Sequence, residues 1–146
     1  MNVLLVEEEA RSAPLVRRAL RLAGVRAHLD SVFDGVEAVE FVFAMGVYSW
    51  RDPKARVDAM IVDLQSPRLS GLELVKILRF HPRTRPVPLI AIAGTPDEER
   101  IAAERFADLP VVRKPISWMD LARIFREMWR EGDTRHETRA AMGSAR

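Results

Sequence analysis

The stretch MIVDLQSPRLSG, residues 60–71, decides the fold. Its apolar run ends on Asp63, and Pro67 follows shortly after. A continuous apolar run is typical of a strand that helices cover on both faces, as in a parallel sheet. A carboxylate that ends such a strand lies at the edge of the sheet, so Asp63 is the first candidate for a functional residue.

The rest of the chain repeats this alternation of short apolar runs and helical patterns. Strands are predicted for residues 2–6, 27–33, 57–62, 87–94 and 110–113. Helices are predicted for residues 12–24, 34–45, 71–80, 95–106 and 117–129, with Ser12, Asp34 and Thr95 as N-caps. Strands that alternate with helices in this way predict an α/β fold, a parallel sheet with helices on both faces.

The length and composition are typical of one soluble globular domain. The chain has 146 residues, a formal net charge of +2 and no cysteine, which excludes disulfides and thiolate catalysis. We expect a folded domain over residues 1–130 and a flexible tail over residues 131–146, where the sequence is polar and unpatterned. The small net charge argues against a nucleic-acid partner, and no apolar segment is long enough to span a membrane. A cytoplasmic location is therefore expected.

Charged side chains follow three of the predicted strands. Glu7, Glu8 and Glu9 come after the first strand, Asp63 ends the third, and Lys114 follows the fifth. Because the carboxyl ends of parallel strands meet at one edge, we expect these side chains to lie together. Clustered carboxylates repel one another unless a cation joins them, and an all-oxygen set suits Mg²⁺. A carboxylate beside Mg²⁺ and a lysine can attack a phosphoryl group and form an acyl phosphate.

These motifs, in this order and spacing, resemble those of a response-regulator receiver domain of two-component signalling. They are the acidic cluster after the first strand, VDLQSPRLSGLEL around Asp63, and RKP after the fifth strand. The resemblance covers about residues 2–130 and implies the flavodoxin-like receiver fold, with five parallel strands in the order 2-1-3-4-5 and five flanking helices. It also implies that Asp63 accepts a phosphoryl group from a histidine kinase and that Lys114 contacts that group.

The same resemblance implies a set of Mg²⁺ ligands. Glu8 would bind the ion directly, Glu7 would bind it through water, and the backbone carbonyl of Gln65 would complete the protein ligands beside Asp63. Family members also commonly have a cis peptide bond before the proline that corresponds to Pro115.

Further segments resemble the stand-alone regulators that are paired with bacterial phytochromes. These segments include DGVEAVEFVFAMGVYS, ILRFHPRTRPVPLIAI and KPISWMDLARIFREMW. In that subfamily the phosphodonor is a bacteriophytochrome histidine kinase, and the regulators commonly form homodimers through the last helices and strand. The resemblance therefore implies a kinase partner, a homodimer and signalling through protein contacts.

Three positions depart from the family pattern. Ala93 stands where a Ser or Thr normally contacts the phosphoryl group, and Val111 stands where a Tyr or Phe is common. Glu8 replaces the usual Asp at a position that binds the metal ion. The longer side chain of Glu displaces the carboxylate, and Mg²⁺ tolerates little error in ligand geometry. Thr95 could partly replace the missing hydroxyl, although its expected role is to cap the next helix. We expect weaker metal binding and weaker coupling between phosphorylation and shape.

Two functions from different classes stay open at this point. One is a phospho-accepting signalling module; the other is a pseudo-receiver that acts as an adaptor or dimer with little or no phosphorylation. An enzyme is not expected, because an aspartyl-nucleophile phosphatase normally has a second Asp at the position of Gln65. A DNA-binding regulator would need a further helical module after residue 130.

Overall fold

A computed structural model gives the fold of residues 1–9 and 11–143, and describes side chains as far as residue 130. The described residues form one parallel sheet of five strands in the order β2-β1-β3-β4-β5, as predicted. The strands are β1 (Asn2–Val6), β2 (His28–Val32), β3 (Ala59–Asp63), β4 (Leu89–Ala93) and β5 (Val111–Arg113). All five residues of β3 and of β4 are buried, which explains their continuous apolar sequence.

The described helices follow the strands in alternation. They are α1 (Ser12–Leu22), α2 (Gly35–Val42), α3 (Gly71–Phe80), α4 (Pro96–Arg105) and α5 (Trp118–Gly143), with a short 3-10 helix at Gly46–Tyr48. Asp34 and Thr95 cap α2 and α4 as predicted, because their side chains accept hydrogen bonds from the backbone N–H of Glu37 and Glu98. None of the described helices is long and apolar enough to cross a membrane.

Two apolar clusters hold the helices against the two faces of the sheet. On one face, α1 and α5 pack over β1 through residues such as Val16 and Phe125. On the other face, α2, α3 and α4 pack over β3 and β4 through residues such as Phe41, Leu74 and Ala102. Burial of these side chains is the main source of the fold's stability. It also holds the strands in place, so that their carboxyl ends lie along one edge of the sheet.

Some local predictions were wrong. Ser12 does not cap α1; the cap position is Arg11, and the Ser12 hydroxyl donates to Glu7 instead. The second helix ends at Val42 rather than near Met45, because Ala44 adopts a left-handed backbone with φ 52°. The last helix continues past residue 130 to Gly143. The helix therefore does not end at the predicted boundary between the domain and the tail. The side chains of residues 131–146 lie outside the described residues, and the flexibility of this tail stays a prediction.

Candidate functional site

The carboxyl edge of the sheet brings Asp63 and Lys114 into direct contact. Lys114 Nζ donates to Asp63 Oδ2 at 2.7 Å. The Asp63 side chain is 5% exposed and the Lys114 side chain 33%, so the pair is largely shielded from water. The other carboxylate oxygen, Oδ1, accepts a hydrogen bond from the backbone N–H of Gln65 at 2.9 Å. Two residues from distant parts of the chain thus lie together, as predicted from the sequence, and form an ion pair.

The sheet itself fixes the positions of these two residues. Asp63 pairs with Ile92 in the ladder between β3 and β4. The backbone N–H of Lys114 donates to the carbonyl of Ala93 at 2.8 Å, immediately after β5. The peptide bond between Lys114 and Pro115 is cis, as the family resemblance implied. Because both backbones are anchored to β4, the two side chains meet without a long flexible loop between them.

Acidic neighbours keep Lys114 in its charged form. Partial burial by itself lowers the pKa of Lys114, but the hydrogen bond to Asp63 and the charges of Asp63, Glu7 and Glu9 outweigh burial and raise it. Lys114 therefore carries a fixed positive charge next to the carboxylate. A positive charge in this position stabilises negative charge on the oxygen atoms of a group that becomes attached to the Asp63 carboxylate.

Glu7 is a buried acid at the same edge, with one oxygen that lacks a partner. Its Oε1 atom accepts a hydrogen bond from the Ser12 hydroxyl at 2.5 Å. Its Oε2 atom is buried and has no hydrogen-bond partner. Burial raises the pKa of Glu7; the charge of Asp63 adds to this rise, whereas Ser12 and Lys114 oppose it. An unpartnered buried carboxylate oxygen near a second carboxylate has the donor chemistry that a hard divalent cation satisfies.

The structure does not assemble the whole predicted set of metal ligands. Glu8 is exposed, unlike Glu7. Among the described residues, no three His, Cys, Asp or Glu side chains are grouped so that they could hold a metal ion. The oxygens of Asp63 are held by Lys114 and the Gln65 N–H, and one oxygen of Glu7 is held by Ser12. The triad of Glu7, Glu8 and Asp63 is therefore not preformed in this conformation.

The third predicted contact residue, Thr95, is used as a helix cap. Thr95 Oγ1 accepts from the backbone N–H of Glu98 at 3.2 Å, and Glu98 Oε2 accepts from the Gly94 N–H at 2.9 Å. Ala93 is fully buried in the apolar cluster and offers no hydroxyl. A Cβ atom added to Gly94 would lie 2.4 Å from Oε1 of Gln65, so the Gln65 side chain covers this end of β4. Sequence reasoning had given Gln65 only a backbone role.

A clamp on the loop between β3 and α3 was also missed. Arg68 Nε and Nη2 donate to the two oxygens of Asp34 at 2.5 and 3.0 Å, and the Gly35 N–H donates to Ser66 Oγ at 2.8 Å. Burial by itself raises the pKa of Asp34, but hydrogen bonds from Arg68 and from the Glu37 N–H outweigh burial and lower it. Arg68 has a left-handed backbone with φ 63°, a conformation that is unfavourable for residues other than glycine. Its long-range contacts with Asp34 stabilise this conformation. Nothing in the local sequence pattern signals this pairing.

Comparisons with curated proteins give consistent relatives, although no family model matches this chain. The two-component response regulator ORR41 of Oryza sativa subsp. japonica is 31% identical over 96 residues, which are 66% of this chain and 69% of that protein. The response regulator MprA of Mycobacterium leprae is 29% identical over 130 residues, 89% of this chain and 51% of MprA. The response regulator Rcp1 of Synechocystis is 24% identical over 101 residues, 69% of this chain and 67% of Rcp1. The chain thus spans about half the length of MprA.

Solved structures share the fold. The bacteriophytochrome response regulator RtBRR superposes with a TM-score of 0.70 at 23% identity, covering 80% of this chain and 70% of that chain. The Mn²⁺-bound form of Rcp1 gives 0.68 at 21% identity, covering 87% and 90%. The phosphorylated cyanobacterial phytochrome response regulator RcpA gives 0.68 at 22% identity, covering 87% and 89%. At these identities the likeness establishes the same chain topology.

Proposed function

Since this chain belongs to the response-regulator receiver family, we propose that Asp63 accepts a phosphoryl group from a histidine kinase. The observation that carries the proposal is the 2.7 Å contact between Lys114 Nζ and Asp63 Oδ2 at the carboxyl edge of the sheet. A carboxylate at a strand end, with a cation fixed beside it, is the arrangement that a phosphoryl acceptor needs.

The proposed step is a transfer between two residues. A carboxylate oxygen of Asp63 attacks the phosphorus of the kinase phosphohistidine, a phosphorus–oxygen bond forms, and the phosphorus–nitrogen bond breaks. The imidazole leaves and takes up a proton from solvent. The Lys114 ammonium neutralises charge on the transferring oxygens, and its fixed position lowers the cost of reorganisation.

A divalent cation, Mg²⁺, belongs to this proposal as a cofactor. The buried, unpartnered Oε2 of Glu7 supports a cation at this edge, and the related Rcp1 has been crystallised with Mn²⁺. The residues that would hold the ion are Glu7, Glu8, Asp63 and the backbone carbonyl of Gln65. When bound, the cation would supply charge neutralisation for the phosphoryl oxygens. Because Glu8 is exposed, we expect weak binding.

The partners and the extent of the module follow as further parts of the proposal. RtBRR and RcpA are named as phytochrome regulators, which supports a bacteriophytochrome as the kinase. We propose a homodimer through the last helices and strand, where the side chains of Val111 and Ile124 are only partly buried. The receiver module would span residues 1–130, and residues 131–146 would form a flexible tail. The protein would act in the cytoplasm through contacts with other proteins. It would have no enzymatic activity and would bind neither nucleic acid nor a membrane.

A pseudo-receiver is the second candidate, and a specific observation favours it. Ala93 is fully buried and Val111 is a partly buried aliphatic residue, so neither position supplies the contact that changes with phosphorylation in the family. A conformational change needs contacts that differ between the two states. In this alternative the chain works as a constitutive adaptor or dimer.

Incubation with acetyl phosphate and Mg²⁺, followed by intact-mass measurement, separates the two candidates. The proposal predicts one added phosphoryl group on the wild-type chain and none on Asp63→Asn. A receiver of known competence serves as the positive control. Absence of the adduct on the wild type, under conditions that modify the control, would favour the pseudo-receiver.

A further inference from the structure

A groove of about 840 Å³ lies at the opposite edge of the sheet from Asp63. Its walls are residues 53–58, which lead into β3, and residues 82–88, which lead into β4. The groove therefore lies at the amino ends of these strands, whereas the phosphoryl acceptor lies at their carboxyl ends. A ligand in the groove would leave the Asp63 edge accessible.

The two walls are held together by hydrogen bonds rather than left as loose loops. Arg83 donates to the backbone carbonyl of Pro53, which joins one wall to the other. The Arg83 guanidinium also lies 5.7 Å from the ring centroid of Phe43. Thr84 is buried, and its hydroxyl donates to the carbonyl of Leu78 at 2.6 Å. A concave site with fixed walls loses little conformational entropy when a ligand binds.

The charge of the groove is mainly positive. Lys54, Arg56 and Arg83 line it and are exposed, and Asp58 is the carboxylate among its lining residues. Asp58 already accepts a hydrogen bond from the backbone nitrogen of Asn2 at 2.6 Å. Within the described part of the chain, the three cations form no ion pair. Lys54 and Arg56 are therefore available to carboxylates of another molecule, and so are the N–H groups of Arg83 that do not bind the Pro53 carbonyl.

The lining between these cations is apolar. Its accessible apolar surface comes from exposed prolines in both walls, Pro53, Pro82, Pro86 and Pro88. Each wall also follows an exposed aromatic residue in the chain: Trp50, 77% exposed, precedes the first wall, and Phe80, 87% exposed, precedes the second. Large exposed apolar side chains are common at surfaces that bind other proteins.

We propose that this groove binds an acidic peptide segment of a partner protein. Carboxylates of the segment pair with Lys54, Arg56 and Arg83, while an apolar side chain packs against the exposed prolines Pro53 and Pro86. Nucleic acid fits less well, because a phosphate backbone needs a broad basic surface rather than three cations among exposed prolines. The lining of this docking site includes neither Asp63 nor Lys114.

The test uses the full chain labelled with ¹⁵N and a pool of short peptides that alternate Asp or Glu with Leu, Phe or Ile. Amide signals of residues 54–57, 83–85 and 87 should shift on titration. The double variant Lys54→Glu, Arg56→Glu should bind the pool about tenfold more weakly, since two favourable charge contacts become repulsive. The double variant Arg17→Glu, Arg21→Glu, which makes the same two charge reversals at exposed positions of α1, should bind like the wild type.

Several results would overturn the proposal. These are an absence of shifts with the pool, shifts confined to other regions, or equal binding by a pool with Ser in place of the apolar residues. A single-stranded oligonucleotide or phosphatidylserine vesicles that shift the same amides at lower concentration than the peptides would assign the groove to a different class of ligand. The amide spectrum of the double variant, recorded without peptide, separates loss of binding from loss of fold.

Discussion

Gly71 is the residue whose substitution most directly tests how the Asp63 backbone is held. A Cβ atom at Gly71 would lie 2.5 Å from Leu64 Cα and 2.6 Å from the carbonyl oxygen of Asp63. Both atoms belong to backbone that the β3–β4 ladder fixes, since the Leu64 N–H donates to the carbonyl of Ile92 at 2.9 Å. The close approach of α3 to the end of β3 therefore requires glycine at this position.

Gly71→Ala should lower the free energy of unfolding by about 2 kcal/mol. To reach ordinary van der Waals distance, the methyl group and the two backbone atoms must move apart by roughly 0.8–0.9 Å, and overpacking of this kind typically costs about 1–3 kcal/mol. Alanine has a lower conformational entropy than glycine in the unfolded chain. Where the native backbone is compatible with alanine, this difference offsets the destabilisation by about 0.4–1 kcal/mol. Because relief of the clash displaces Asp63, phosphorylation by acetyl phosphate should also slow.

Gly94→Ala is the matched control for this variant. The added Cβ atom would approach Gln65 Oε1, the mobile end of a side chain that can rotate away. Its stability should therefore stay within about 1 kcal/mol of the wild type. Urea unfolding followed by circular dichroism measures both variants. Equal stability of Gly71→Ala and Gly94→Ala would refute the argument that rigid backbone contact at the end of β3 sets the cost.

Three further substitutions probe the charges around the site. Lys114→Met should destabilise the fold by about 1–2 kcal/mol in thermal unfolding at neutral pH, because it leaves the buried carboxylate of Asp63 without its cation; an unchanged melting temperature would contradict this. Arg68→Met should lower the free energy of unfolding in urea at neutral pH, because the buried carboxylate of Asp34 loses two charged hydrogen-bond donors. Since the folded pKa of Asp34 lies below its ordinary 3.8, this cost should shrink as the pH falls below 3.8 and Asp34 becomes protonated; a cost that persists in acid would count against the ion pair. Glu7→Gln should gain stability relative to the wild type as the pH rises above 4.5, because burial raises the folded pKa of Glu7 and the charged form is disfavoured; parallel pH profiles of the two proteins would rule this out.

The fold could be predicted because each strand carries its own local signal. The apolar runs of β3 and β4 are buried on both faces, so their sequences show no alternation that could be confused with a solvent-facing strand. Asp34 and Thr95 mark helix starts by a cap chemistry that depends only on neighbouring residues. Once strands and helices alternate, the parallel topology and the functional edge follow from general rules of α/β architecture.

The parts that escaped prediction depend on contacts that no cap motif or periodic pattern signals. The pairing of Arg68 with Asp34 joins two loops, and no periodicity connects these positions. Ser12 looked like a helix cap because hydroxyl residues commonly are, but the buried oxygen of Glu7 competes for its hydroxyl. The exposure of Glu8 beside the buried Glu7 follows from the turn after β1, which sequence alone did not define.

A crystal structure grown with Mg²⁺ and beryllium fluoride would test most directly whether this edge is a phosphoryl-acceptor site. The account predicts beryllium fluoride on a carboxylate oxygen of Asp63, Lys114 Nζ within hydrogen-bond distance of a fluoride, and the cation held by Glu7, Glu8, Asp63 and the carbonyl of Gln65. An unmodified Asp63 that still pairs with Lys114, at concentrations that saturate a competent receiver, would contradict it.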